Sequence, residues 1–256
     1  MKRLKPLEVI LLSLRTTFGN PSMILISLSG LILTGLLWTL AFLLSSFLLE
    51  ESLSLTELSS LLPNFISNLN TLGILFLVTS IIEVAILSFM LAALCGMVKE
   101  GIASGKTNIG DGIFIAKRRF FQVFILNLSI SFIIGMILIG GSYAFSYLFS
   151  GTLVLLLYAF LMLISSLIFA LFIYTLPAIV VDDFNTLQAP LKSFSHAVFN
   201  VLDTLGILIL FLSLMVLSTA LSIFIPKVGS ILSLLISLFL PPFGVTLITV
   251  AYVNLK

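Results

Sequence analysis

Six apolar runs, at roughly 22–48, 72–97, 122–148, 153–178, 205–225 and 229–252, dominate the chain. Within them apolar residues follow one another without alternation. That pattern predicts helices and not strands, because an open sheet edge finds no hydrogen-bond partner in lipid. A helix of about 25 residues rises about 37 Å, enough to cross a hydrocarbon core of about 30 Å with some tilt.

Shorter polar-faced segments precede three of these runs. Leu7, Leu11, Leu14 and Phe18 fall at i, i+4, i+7 and i+11, which is one face of a helix. Ile109, Ile113, Ala116 and Phe120 repeat the spacing, as do Leu187, Leu191, Phe194 and Val198, and an amide follows in each case: Asn20, Gln122 and Asn200. The expected architecture is a single all-α integral membrane domain of three helical hairpins. Each hairpin is introduced by a cytoplasmic amphipathic interfacial helix, at 5–18, 108–120 and 186–200. Every unit starts on the same side, so the repeats are parallel and unlike the inverted repeats of many transporters.

Composition sharpens the class. The chain is 60% hydrophobic and 9% charged, with a mean hydropathy of +1.32. A soluble domain carries about 25% charged residues, so this chain has too little polar surface for a water-exposed globule. A net charge of +2, scattered over segment ends, gives no footprint for nucleic acid. Lysine and arginine set the orientation. With the N-terminus inside, all 12 basic residues except Lys227 fall on the cytoplasmic side. The outer loop 50–70 holds Glu50, Glu51 and Glu57 and no basic residue. Both termini are expected in the cytoplasm and the protein in the plasma membrane. The basic N-terminus lacks an A-x-A cleavage site, so it is expected to be retained rather than removed as a signal peptide.

Few residues tempt a chemical reading. Glu83 lies near the middle of the second span, where a charge is costly and intramembrane carboxylates often mark proton or substrate paths. As the neutral acid it can bond a neighbouring helix, with Asn127, Ser165, Ser166 or Tyr158 accepting. Glu83, Asn127 and Tyr158 therefore form the candidate proton or substrate site. Lys117, Arg118 and Arg119 are candidate contacts for anionic head groups. Pro241-Pro242 should kink the sixth span, and Gly135, Gly140 and Gly141 should permit close helix contact. The loop GIASGKTN (101–108) has one residue too few between its glycines for a phosphate-binding loop and reads as a turn. His196 lacks partners for a triad or a metal site and reads as a surface histidine. Cys95, the single cysteine, reads as packing. No catalytic set and no cofactor are expected.

The stretch YTLPAIVVDDFNTLQAPLKSFSHAVFN resembles the membrane domain fused to some prokaryotic glycerophosphodiester phosphodiesterases, and related membrane domains of unknown function. The matching positions are Pro177, Val181, Asp182 or Asp183, Ala189, Ser193 and Phe194; Pro190 and Phe194 stand where leucine and tryptophan are usual. The resemblance covers roughly residues 90–225 and implies a stand-alone membrane module without the catalytic barrel.

The expected function is a non-enzymatic membrane module that binds membrane lipids or a partner membrane protein, itself included, and no nucleic acid. The alternatives are a small secondary transporter using Glu83, or an accessory subunit of a larger membrane complex.

Overall fold

The computed structural model describes residues 4–52, 61–105, 107–148, 152–224 and 226–255; in 47–52, 61–70, 142–148, 152–159 and parts of 222–231 it describes the backbone alone. Glu50, Glu51, Glu57, Lys106 and the side chain of Lys227 lie outside that description. The described elements are helices: α1 Pro6–Phe18, α2 Pro21–Ser52, α3 Leu61–Ser104, α4 Ile109–Leu148, α5 Thr152–Phe172, α6 Thr175–Val181, α7 Gln188–Phe199, α8 Val201–Phe224 and α9 Pro226–Asn254. Among the described residues six stretches are long and apolar enough to cross a membrane: Pro21–Ser46, Thr71–Ser104, Ile109–Gly141, Phe160–Val181, Val201–Leu221 and Leu232–Asn254. The protein is an all-α multi-pass membrane protein.

Helix boundaries differ from expectation where the local chemistry differs. The segment 108–120 is not a separate helix, because α4 runs unbroken from Ile109 through the span. Phe120, Phe121 and Gln122 contain no glycine or proline that would stop it. α3 continues past residue 97 to Ser104. It ends where Gly105 takes φ +74° and returns its N–H to Gly101 O at 3.0 Å, a left-handed closure open to glycine. The fourth span is divided at Ile173–Tyr174. Pro177 has no N–H to return to Ile173 O, so it sits in the first turn of a new helix, α6. Pro190 likewise falls in the first turn of α7, where a missing donor costs nothing.

The chain forms two compact units, Met1–Ser27 with Ser88–Lys256, and Leu28–Leu87. In the first, α8 and α9 form a hairpin, α4 packs on α5, α1 lies on α9, and α7 lies across α5 and α6. Its core centres on the last turns of α3, where Ala92, Ala93, Leu94, Cys95, Met97 and Val98 are wholly buried, together with Tyr174, Ile179, Leu247 and Tyr252. α9 carries Pro241 and Pro242 without interruption. The carbonyl that Pro242 leaves without a donor, Leu238 O, accepts Ser27 Oγ–H from α2 at 3.1 Å.

The small helices α1 and α7 are built alike. Each buries a stripe of modest residues at i, i+4 and i+8: Val9, Ser13 and Thr17 in α1, and Ala189, Ser193 and Ala197 in α7. Each ends on the same bond, from an asparagine Nδ2 to the carbonyl four residues back, Asn20 to Thr16 O and Asn200 to His196 O. The second copy departs, since Gln122 sits inside continuous helix and accepts from Arg119. The large apolar stripes point outward: Leu7 is 66% exposed, Leu187 82% and Leu191 73%. Small side chains let a helix approach its neighbours closely, which explains why the modest stripe faces the protein.

Candidate functional site

Polar side chains of α3, α4 and α9 converge on the turn between α6 and α7. Asp183 takes the left-handed φ of +60°, tolerable for aspartate, and Phe184 returns its N–H to Ala178 O at 3.2 Å. Asn185, and neither aspartate, starts α7: its Oδ1 accepts the N–H groups of Leu187 and Gln188 at 3.1 and 2.8 Å. The two aspartates instead reach other helices. Asp182 Oδ2 accepts the Tyr252 hydroxyl of α9 at 2.7 Å. Asp183 forms an ion pair with Arg119 of α4, and the same guanidinium donates to Gln122 Oε1 at 3.1 Å. Lys99 Nζ of α3 donates to Val180 O at 3.0 Å, satisfying one of the last carbonyls of α6.

Beneath the turn lie Tyr174, His196 and Tyr252. The imidazole meets Tyr252 edge-on with ring centroids 5.0 Å apart and Tyr174 at 6.4 Å. His196 is thus half-buried among aromatic rings and is not on an open surface. Tyr174 Oη lies 3.3 Å from Thr204 Oγ1, and Cys95 Sγ lies 3.4 Å from Thr249 Oγ1. Ser193, wholly buried, accepts the N–H of Tyr174 at 3.0 Å and donates to Leu171 O at 2.8 Å. It therefore bridges the backbone groups exposed where α5 breaks into α6. Both roles of its hydroxyl are committed to the backbone. Among the described residues no three of His, Cys, Asp and Glu gather as metal ligands. The arrangement ties α3, α4, α6, α7 and α9 to one turn.

Of the residues the resemblance singled out, Asp182, Asp183, Ala189 and Ser193 belong to this construction, whereas Phe194 is exposed. The basic run divides. Lys117 and Arg118 are exposed. Arg119 is only 12% exposed and paired with Asp183, whose side chain is 57% exposed, so it ties α4 to the α6–α7 turn. Sequence reasoning passed over Lys99, Tyr174, Thr204 and Tyr252, each lying in or beside an apolar run with no local spacing to mark it.

Glu83 is half-buried in the second unit. Its Oε2 accepts the indole N–H of Trp38, on α2, at 3.0 Å, and Trp38 also packs against Phe76 with centroids 6.2 Å apart. Asn127 donates to Ser88 Oγ at 2.9 Å, and Ser166 returns to Met162 O of its own helix at 2.8 Å. The side chain of Tyr158 lies outside the described residues. A glutamine at 83 keeps the acceptor for Trp38, so Glu83→Gln should melt within about 0.5 kcal/mol of the parent, while Glu83→Leu should lose about 0.6–1 kcal/mol, the usual size of such an interhelical bond. Thermal unfolding in detergent reads this. Abolished proton flux in Glu83→Gln proteoliposomes, with melting unchanged, would assign the carboxyl to a conduction path.

Comparison with protein-family models, with curated proteins and with solved structures finds no match for this chain.

Proposed function

We propose that the protein is a non-enzymatic module of the plasma membrane, with both termini cytoplasmic, that binds lipid through helices lying in the inner bilayer interface. One observation carries the reading: α1 and α7 bury small residues against the protein and turn Leu7, Leu11, Leu187 and Leu191 outward. In water such stripes would be costly, whereas in the interface each buried methylene contributes about 0.8 kcal/mol. The exposed charges of Lys117 and Arg118 suit the same plane, and each basic group near an anionic leaflet contributes about 1 kcal/mol. The likeness to the membrane domain of some glycerophosphodiester phosphodiesterases belongs to this proposal. Its motif positions Ala189 and Ser193 have a structural reason here, the seating of α7.

The test places a fluorophore on the stripe. Leu191→Trp in vesicles containing lipid brominated near the head-group end of the acyl chain should gain a strongly quenched component absent from the parent. An unquenched, solvent-shifted emission would sink the proposal. A signal shielded from both lipid and water would favour a protein partner on α7.

A further inference from the structure

Glu83 stands alone in the apolar part of the chain. The six apolar runs contain no other Asp or Glu and no Lys, Arg or His. The compact unit Leu28–Leu87, to which Glu83 belongs, holds Glu50, Glu51, Glu57 and Glu83 and no basic residue. The nearest cation along α3 is Lys99, about 24 Å of helix rise away. Trp38 donates its indole N–H to Glu83 Oε2 at 3.0 Å, and among the described residues Oε1 has no partner.

The surface beside this pair suits a close neighbour. Phe76, Ser80 and Glu83 fall at i, i+4 and i+7 on α3, and Gly35, Trp38 and Thr39 at i, i+3 and i+4 on α2. Trp38 meets both Phe76 and Glu83, so the two faces adjoin. Gly35, Thr39 and Ser80 are small and exposed. The hydroxyls of Thr39 and Ser80 turn back to Gly35 O and Phe76 O of their own helices, both at 2.8 Å, and a Cβ added at Gly35 meets nothing within 4 Å. Small residues with their polar groups turned inward let another helix approach closely.

We propose that the Glu83–Trp38 face binds a spanning helix of a partner membrane protein, one that carries a lysine or arginine at the depth of Glu83. Charge selects this occupant. A carboxylate surrounded by hydrocarbon is costly unless paired, and the chain's own apolar runs offer no cation. A second copy offers none either, because its runs are the same. Lipid amines are held in the head-group layer. A cation delivered on a helix arrives with its backbone already satisfied, and it can take Oε1 while Trp38 keeps Oε2. The proposal goes beyond lipid binding and uses neither α1 nor α7, so it stands or falls independently of their placement.

Trp38 is the chain's single tryptophan, so its fluorescence reports on this face directly. The probe is a synthetic spanning peptide of leucine and alanine with one central lysine and a nitroxide beside it, added to the full chain in phosphatidylcholine vesicles. Trp38 should be half-quenched at a peptide-to-lipid ratio at least tenfold lower than with a peptide whose central residue is leucine. A central glutamate should quench no better than leucine, a comparison that needs no variant. Glu83→Gln keeps the acceptor for Trp38, with folding read by thermal melting, and should remove the advantage of lysine. Equal quenching by the lysine and leucine peptides, quenching by the glutamate peptide as strong as by lysine, or a lysine preference that survives in folded Glu83→Gln overturns the proposal. So does a dimer of the parent in native mass spectrometry that Glu83→Gln dissolves, since that gives the face to a second copy.

Discussion

Ser193→Ala should destabilise the protein by about 3 kcal/mol and lower its melting temperature in detergent by roughly 10 °C. The change removes one hydroxyl and almost no volume, so packing is not the cause. Ser193 Oγ accepts from Tyr174 N and donates to Leu171 O; both are backbone groups at the junction of α5 and α6, a stretch with apolar surroundings. Leaving a buried donor or acceptor unmade costs about 1–3 kcal/mol each, and neither helix offers a replacement, since Pro177 prevents the break from closing into regular helix. Ser195→Ala on the same helix is the control and should stay within about 0.5 kcal/mol. Equal melting of the two variants would show that the junction is satisfied some other way.

The same residue shows how far a sequence can be read. The stretch around it was visible as special, through its aspartates, its proline and its short helix, and the periodic stripe at 187, 191, 194 and 198 correctly foretold a helix. Which stripe faces the protein was not visible from apolarity. In a soluble domain the large apolar side chains mark the core, but a membrane protein meets hydrocarbon on its outside as well, so size decides. The stripes Val9–Ser13–Thr17 and Ala189–Ser193–Ala197 are the readable signal, one of small and hydroxylated residues four apart. The matched asparagines were readable too, and Asn20 and Asn200 make equivalent bonds. Where the repeat was carried to Gln122, spacing alone misled, because nothing there ends a helix.

Other parts had no local signature. Arg119 with Asp183 and Tyr252 with Asp182 join residues 64 and 70 positions apart. No periodicity encodes such pairs, and the run Lys117-Arg118-Arg119 looks uniform until the fold withdraws its last member into an ion pair. Glu83 was conspicuous as a carboxylate at membrane depth, yet its partner Trp38 is 45 residues away on a different helix. Aromatic residues within an apolar run attract no notice, so this bond was hidden.

Glycine shows a similar division and supports the second large effect. Gly135, Gly140 and Gly141 stood out as a cluster, but a Cβ at Gly135 or Gly140 meets nothing within 4 Å, and only Gly141 presses on a neighbour, the Leu161 side chain. The close approach lies elsewhere. At Gly112 of α4 an added Cβ would sit 2.6 Å from Met97 Cγ and 2.8 Å from Ala93 O of α3. Met97 and Ala93 are both wholly buried, and a backbone carbonyl inside a helix cannot step aside. Gly96 of α3 faces the same contact from the other side, with Ile115 Cβ at 2.9 Å, the stiff branch point of its side chain. Gly112→Ala should therefore force α3 and α4 apart at about 1–3 kcal/mol, outweighing the gain of up to about 1 kcal/mol that alanine brings to a helix interior. Gly112→Leu should cost more and impair folded yield. Gly135→Ala, with open space around it, should instead stabilise by about 0.5–1 kcal/mol. The same substitution at two helical glycines of α4 thus carries opposite signs, measurable by paired thermal melts. A stabilising Gly112→Ala would mean that α3 and α4 are not in backbone contact, and with that the anchoring of Lys99 and Arg119 onto the α6–α7 turn would lose its frame.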